Sequence, residues 1–177
     1  MSIHDPLAWT IRPADQADAA ALALVAQATF LEAYAAITTV EDMLAHGESA
    51  NSKAWYEAAL ADGARIWIAE ADATRAPLGF AVLTASSLEG ALPGDIELKR
   101  IYVLDRCHGQ GLARALLDTV IAASAGHNRL VLGVNRQNER AQGFYRKHGF
   151  ELAGTRTFTV GSTTYDDYTY AKPLDPA

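Results

Sequence analysis

Between Asp95 and Asn135 the chain reads strand, glycine turn, helix, strand, and that order leaves little freedom of topology. "DIELKRIYVL" has the alternation and β-branched content of a strand. "RCHGQG" then sets two glycines around one glutamine, directly ahead of a helical run. In that run Leu112, Leu116 and Val120, and beside them Ala113, Leu117 and Ile121, repeat at four-residue spacing. Gly126 suits the helix stop, and "RLVLGVN" reads as a buried strand. A strand that returns through a helix pairs parallel with its predecessor.

Elsewhere hairpins dominate. "RIWIAEA" and "LGFAVLTAS" flank the turn "DATRAP", and "SLEGALPG" is a loop. The end of the chain, "GFELAGTRTFTV" and "TTYDDYTYAKPL", reads as a final hairpin turning at Gly161–Ser162. Ahead of the strands, "AWTIRPAD" is a short strand. Asp15 is then the N-cap of an alanine-rich helix running to Tyr34, with Asp18 in its first turn and Leu22, Val25, Thr29 and Phe30 near helical spacing. A second helical region, Glu41 to Leu60, is interrupted at "HGESANS" and carries the apolar stripe Trp55, Ala59 and Leu60. The expectation is one α/β (α+β) domain over residues 1–177, with a mixed, mostly antiparallel sheet.

Composition narrows the function. Residues 1–97 hold 4 Lys/Arg against 14 Asp/Glu, and residues 98–177 hold 11 against 7. This asymmetry fits an anion on the back half and a cation near the front, or simply a solvated surface. Net acidity with no basic run argues against nucleic acid. One cysteine, Cys107, cannot make an internal disulfide, "MSIHDPLAW" lacks a signal-peptide pattern, and no apolar run nears the ~20 residues that span a bilayer. A soluble cytoplasmic protein with no membrane partner is expected. His4, His46, His108, His127 and His148 show no ligand spacing, so no metal is expected.

A helix N-terminus has N–H groups without intrahelical partners and a partial positive charge. Glycines just before it let successive amides point at one oxyanion, to which Arg106 and His108 would add donors. A tight turn that needs glycine for shape alone is the plainer reading. Two other phosphate motifs fail: a dinucleotide fingerprint wants glycine where Arg114 stands, and a P-loop wants Lys-Ser/Thr where Leu112 and Ala113 stand.

"RCHGQG" resembles the Arg/Gln-x-x-Gly-x-Gly/Ala loop of the GNAT superfamily of acetyl-CoA-dependent N-acetyltransferases. "IELKRIYVLDRCHGQGLARALL" is similar to that family's strand, loop and helix, and "LGVNRQNERAQGFYRKHGFELAG" to the strand and helix that follow. "ATFLEAY" in the first helix and "GVNRQNERAQGFYRKHGF" near the end resemble its PaiA-type spermidine/spermine acetyltransferase branch. The resemblance implies a six- to seven-stranded sheet with splayed central strands, about four helices, and acetyl-CoA as cosubstrate. It places the pantetheine arm on the backbone of Ile101, Tyr102 and Val103, and the pyrophosphate on Arg106, His108, Gly109, Gln110, Gly111, Leu112 and Ala113. Asn138, with Asn135 in second place, would bond the cofactor arm; an N-cap role for Asn138 stays open. Cys107 is a bystander.

The resemblance further implies direct attack of an amine on a thioester in a ternary complex. Glu97 matches the family's general base, with Asp95 in reserve, against the alternative of a glutamate paired to Lys99 or Arg100. Tyr145 matches the acid that protonates the departing thiolate, against a packed aromatic beside Phe144. The acceptor would meet Phe30, Tyr34 and Asp166, together with Glu32, Glu41, Asp42 and Asp167, an aromatic and acidic lining that favours a polyamine. Amino acids, antibiotic amines, protein N-termini and a non-catalytic CoA-binding module remain alternatives, and a homodimer stays open.

Overall fold

The structure is a computed structural model describing residues 7–160 and 163–174; the expected turn at Gly161–Ser162 lies outside the described residues. Among the described residues seven strands form one mixed sheet: β1 (Trp9–Pro13), β2 (Arg65–Ala71), β3 (Pro77–Ala85), β4 (Asp95–Val103), β5 (Arg129–Asn135), β6 (Glu151–Val160) and β7 (Thr163–Pro173). Their order is β1-β2-β3-β4-β5-β7-β6. β1–β2, β5–β7 and β6–β7 pair antiparallel, while β4 and β5 pair parallel as the strand–helix–strand order requires. Five α-helices lie among the described residues: α1 (Ala19–Tyr34), α2 (Val40–Glu48), α3 (Lys53–Ala61), α4 (Leu112–Ala123) and α5 (Glu139–Lys147). By contacts the chain forms two compact units, Met1–Val82 with Arg100–Thr119, and Leu83–Lys99 with Val120–Ala177.

In the first unit Asp15 caps a short 3-10 turn, Gln16–Asp18, which leads into α1. Ala19, Leu22, Ala23 and Ala26 follow the i, i+3, i+4, i+7 pattern and bury against Ile66 and Ile68 of β2, Phe80 and Val82 of β3, and Tyr56 of α3. Each large side chain so buried contributes about 1.5–3 kcal/mol. The interruption at "HGESANS" is real: Ser49 ends α2, and the Ser52 hydroxyl caps α3 by accepting from the Trp55 amide. The α3 stripe packs on this core: Trp55, Ala59 and Leu60 lie partly buried against it, and Tyr56, on the same face, is fully buried. Arg100 of β4 lies against the same face. Its guanidinium stacks 3.7 Å from the Trp55 ring centroid and donates to Tyr56 Oη at 3.0 Å and Ala50 O at 2.8 Å.

In the second unit the start of β4 is pinned to β5. Arg129 donates to both Asp95 carboxylate oxygens, at 2.9 and 2.6 Å, and the Leu92 amide adds a third bond at 2.7 Å. The ladder runs over Asp95–Glu97 against Arg129–Val131, three rungs of a nine-residue strand. The Arg129 bonds hold the Asp95 carboxyl below its ordinary range. A carboxyl with a depressed folded-state pKa contributes stability that is complete above the ordinary value of about 3.9 and lost as pH falls through the folded value. Asp95→Asn is therefore expected to cost about 2 kcal/mol at pH 7. Denaturation midpoints should show this gap closing toward pH 2; a gap independent of pH would refute the ion pair as its source.

Candidate active site

The glycine turn belongs to the first unit. After Val103 a short 3-10 turn, Asp105–Cys107, is closed by Cys107 N–H donating to Leu104 O and His108 N–H to Asp105 O, at 2.8 and 3.0 Å. Gln110 N–H donates to Cys107 O at 3.3 Å, and the Gln110 side chain donates to Arg106 O at 2.6 Å. His108 Nδ1 stands 3.1 Å from Asp105 Oδ1, and Glu32 of α1, expected beside the acceptor, instead accepts from the Asp105 amide at 3.0 Å. The protein thus spends the amides of His108 and Gln110 on itself. Those of Gly109, Gly111, Leu112, Ala113 and Arg114 donate to no protein group among the described residues. Gly109 and Gly111 have φ of +77° and +83°, and a Cβ at either would meet nothing within 4 Å. Such a row of unspent amides at the head of a helix suits an anion. Leu112 is buried in the core, so only its main chain is available. Cys107 is buried, and burial pushes its thiol above the ordinary value, away from the reactive thiolate.

Along β4, Ile101 and Tyr102 are half-buried and Val103 is buried. Tyr102 stacks on Phe80 at 5.9 Å, which commits its ring to packing. Gly79 of β3 lets the backbone of Tyr102 and Val103 approach: a Cβ there would stand 2.7 Å from Tyr102 O. In the second unit Glu97 is 4% exposed. Its Oε2 accepts from the Ser87 amide at 2.8 Å and the Ser87 hydroxyl at 3.2 Å, while Oε1 stands 3.4 Å from Lys99 Nζ. These donors fix the carboxylate and leave one of its roughly four lone-pair directions unspent. Lys99 was legible at i+2; Ser87, ten residues away, carried no signal.

α5 explains how Tyr145 is placed. Asn138 Oδ1 accepts from the Ala141 amide at 2.9 Å, so this asparagine caps the helix. Arg146 and Lys147 lie in the last turn, and Gly149, at φ +83°, ends the helix. The Phe150 amide donates back to Tyr145 O at 3.1 Å. Tyr145 is 8% exposed and packs edge-to-face with Phe144 and Phe150, at 5.4 and 5.5 Å between centroids. Asn135 Oδ1 accepts from the Gln137 amide at 2.8 Å, which spends its oxygen on a local turn.

A family model described as an acetyltransferase (GNAT) domain matches residues 62–152, just over half of the chain. The chain belongs to the GNAT acetyltransferase family. An uncharacterized N-acetyltransferase of Mycobacterium tuberculosis is 46% identical over 82 residues, 45% of this chain and 53% of the relative, so the chain spans about half the length of the curated relatives it matches. The PaiA N-acetyltransferase from Thermoplasma acidophilum, solved in complex with coenzyme A, superposes at a TM-score of 0.76 with 23% identity, covering 95% of this chain and 100% of that one. The structure of yncA from Salmonella typhimurium, with its cofactor acetyl-CoA, superposes at 0.69 with 26% identity over 96% of both chains.

In this GNAT chain the residues expected to meet the acceptor fall in two places. In the first unit Phe30 stacks on Tyr34 at 4.5 Å and on His46 at 4.2 Å, giving a three-ring stack that adds a histidine no sequence pattern flagged. Burial, with the Arg100 charge, holds the His46 imidazole below its ordinary value. In the second unit Asp166 is exposed, 3.5 Å from Arg136. The neighbouring Asp167 is 4% exposed, pairs with Arg156 at 3.2 Å, and is pushed up by burial. No group of three or more His, Cys, Asp or Glu suited to a metal exists among the described residues, and no helix among them is long and apolar enough to cross a membrane.

Proposed function

We propose that residues 1–177 act as a single GNAT domain that transfers the acetyl group of acetyl-CoA to a primary amine of a small molecule by direct attack in a ternary complex, with a polyamine as the favoured acceptor. The observation that carries this reading is the set of five unspent amides, Gly109, Gly111, Leu112, Ala113 and Arg114, with open space at both glycines. They supply donors and room for a diphosphate, with Arg106, His108 and Gln110 around them. The short β4–β5 ladder supports a role for the main chain of Ile101, Tyr102 and Val103 in holding the pantetheine arm, by the strand-addition mode. Asn135 and Asn138 keep their side-chain amide groups as donors to the same arm.

Acetyl-CoA supplies the acyl group as a thioester. An alkylammonium, with a pKa of roughly 10, must lose a proton before its nitrogen can attack. Glu97 takes that proton directly or through a water, from a carboxylate held by Ser87 and Lys99. Asp95 is less suited: Arg129 and the Leu92 amide engage both its oxygens. Tyr145 returns a proton to the departing sulfur. Phe30, Tyr34 and Asp166 border the acceptor. A cytoplasmic location belongs to the same reading.

Thiol release on mixing the protein, acetyl-CoA and a panel of amines tests it. Turnover is expected with at least one aliphatic amine, and polyamines should lead. Tight CoA binding without release for any amine would instead identify a non-catalytic CoA-binding module.

A further inference from the structure

A cavity of about 430 Å³ lies within the second unit, lined by Leu88–Leu92, Arg129, Val131, Ala153–Thr155 and Thr169. Its emptiness comes from glycine. Thr169 of β7 stands across from Gly133 on β5 and from Gly154 on β6, next to a register shift in β6, so neither neighbour brings a side chain. At Gly133 the space is taken: a Cβ there would stand 2.5 to 2.7 Å from the Arg156 guanidinium. At Gly154 a Cβ would meet nothing within 4 Å, and that side stays open.

The polar groups around this space are unevenly satisfied. Thr169 is 8% exposed, and its hydroxyl oxygen is buried with no hydrogen-bond partner. Off the lining, Asp167, two residues along β7 and so on the same face, has an unpartnered Oδ1, and Nε of its partner Arg156 is likewise buried without a hydrogen-bond partner. The cations are already committed, Arg129 to Asp95 and Arg156 to Asp167. Glu89, on the lining, makes no ion pair among the described residues. On the lining itself what stays open is therefore the Thr169 hydroxyl, which can accept, and the Glu89 charge. A ligand rich in N–H donors and carrying positive charge complements that set; an anion does not.

The cavity shares a wall with the surroundings of Glu97. Val131 lines it and is the register partner of Glu97, and neighbouring strands lie about 4.8 Å apart. Leu88, which packs on Val131 and Ala171, directly follows Ser87, whose amide and hydroxyl hold the Glu97 carboxylate. We propose that this cavity is a second acceptor subsite, which takes the ammonium or guanidinium end of an aliphatic amine whose other nitrogen is acetylated. Thr169 Oγ1 accepts from that end group and Glu89 supplies its counter-charge. The assignment of the subsite to the acceptor rests on the transferase reading above; the site's taste for a cation does not.

The test compares n-butylamine, 1,4-diaminobutane and agmatine in thiol release, and titrates 1,4-diaminobutane calorimetrically into the CoA-saturated protein. Wild type is expected to favour the two dications over butylamine in kcat/KM by about ten-fold, the equivalent of one hydrogen bond to a charged group. Thr169→Val keeps the shape and removes the orphaned hydroxyl, so its melting temperature should hold or rise while the preference collapses through KM. Gly154→Val fills the space and should abolish the preference with the fold intact by circular dichroism. A preference equal in wild type and both variants, or absent from wild type, overturns the subsite. Thiol release failing with every amine, while calorimetric binding persists in wild type and is lost in Thr169→Val, would sink the transferase reading and keep the cation site. No binding heat in wild type would sink the cation site itself.

Discussion

Tyr145→Phe is expected to lower kcat by about 10²–10⁴-fold, the range over which a positioned proton donor contributes. CoA affinity should stay close to that of wild type. The separation follows from where the ring sits. Tyr145 is buried and held edge-to-face by Phe144 on α5 and by Phe150 just beyond it, and the Phe150 amide fastens the Tyr145 carbonyl. Phenylalanine keeps that ring and its contacts, and shape-conserving swaps of this kind cost under about 1.5 kcal/mol of stability. What is lost is the hydroxyl proton. A CoA thiolate leaves as an anion, and unless it is protonated it can attack the new amide and reverse the reaction. Steady-state thiol release measures kcat, and calorimetric titration with CoA measures affinity. If both fall together, the hydroxyl serves cofactor binding, and the acid must be sought elsewhere.

The final hairpin, the parallel β4–β5 pair and the glycine turn were legible because each rests on local chemistry. Hairpin turns demand antiparallel neighbours, a helical return demands a parallel one, and both glycines of "RCHGQG" take the positive φ that only glycine adopts freely. Residues whose role depends on a remote partner were harder to place. The stripe Trp55, Ala59 and Leu60 on α3 packs on the core as its spacing implies, but the bond from Arg100 to Tyr56 within the same face joins residues more than forty positions apart, which no local pattern shows. Of the adjacent Asp166 and Asp167, alternation along a strand requires one to face inward but not which; the pairing of β6 with β7 decides for Asp167. Asn138 was readable either as a cap or as a cofactor ligand, and its oxygen is spent on the cap. Thr169 could not have been singled out at all. Its orphaned hydroxyl matters only because glycines flank it on two other strands, a fact of register that no stretch of sequence contains.

Glu97 separates two roles that a carboxylate in this position can play. It can tie down the loop that starts at Ser87, since it accepts from that residue's amide and hydroxyl, or it can take the proton of the incoming ammonium. Glu97→Gln distinguishes them because an amide oxygen still accepts from the Ser87 amide but is a far weaker base. As a general base, its loss should lower kcat/KM by about 10²-fold at pH 7. The deficit should shrink as pH rises, because free amine grows about ten-fold per unit until the ammonium pKa of roughly 10. Near pH 9.5 most of the wild-type rate should return. As a loop tie alone, the variant should lose thermal stability instead, and any deficit in rate should be the same at both pH values. A pH–rate profile of thiol release, with melting temperatures on the same samples, decides the matter. Parallel profiles for variant and wild type would remove Glu97 from the chemistry and return attention to a base outside β4.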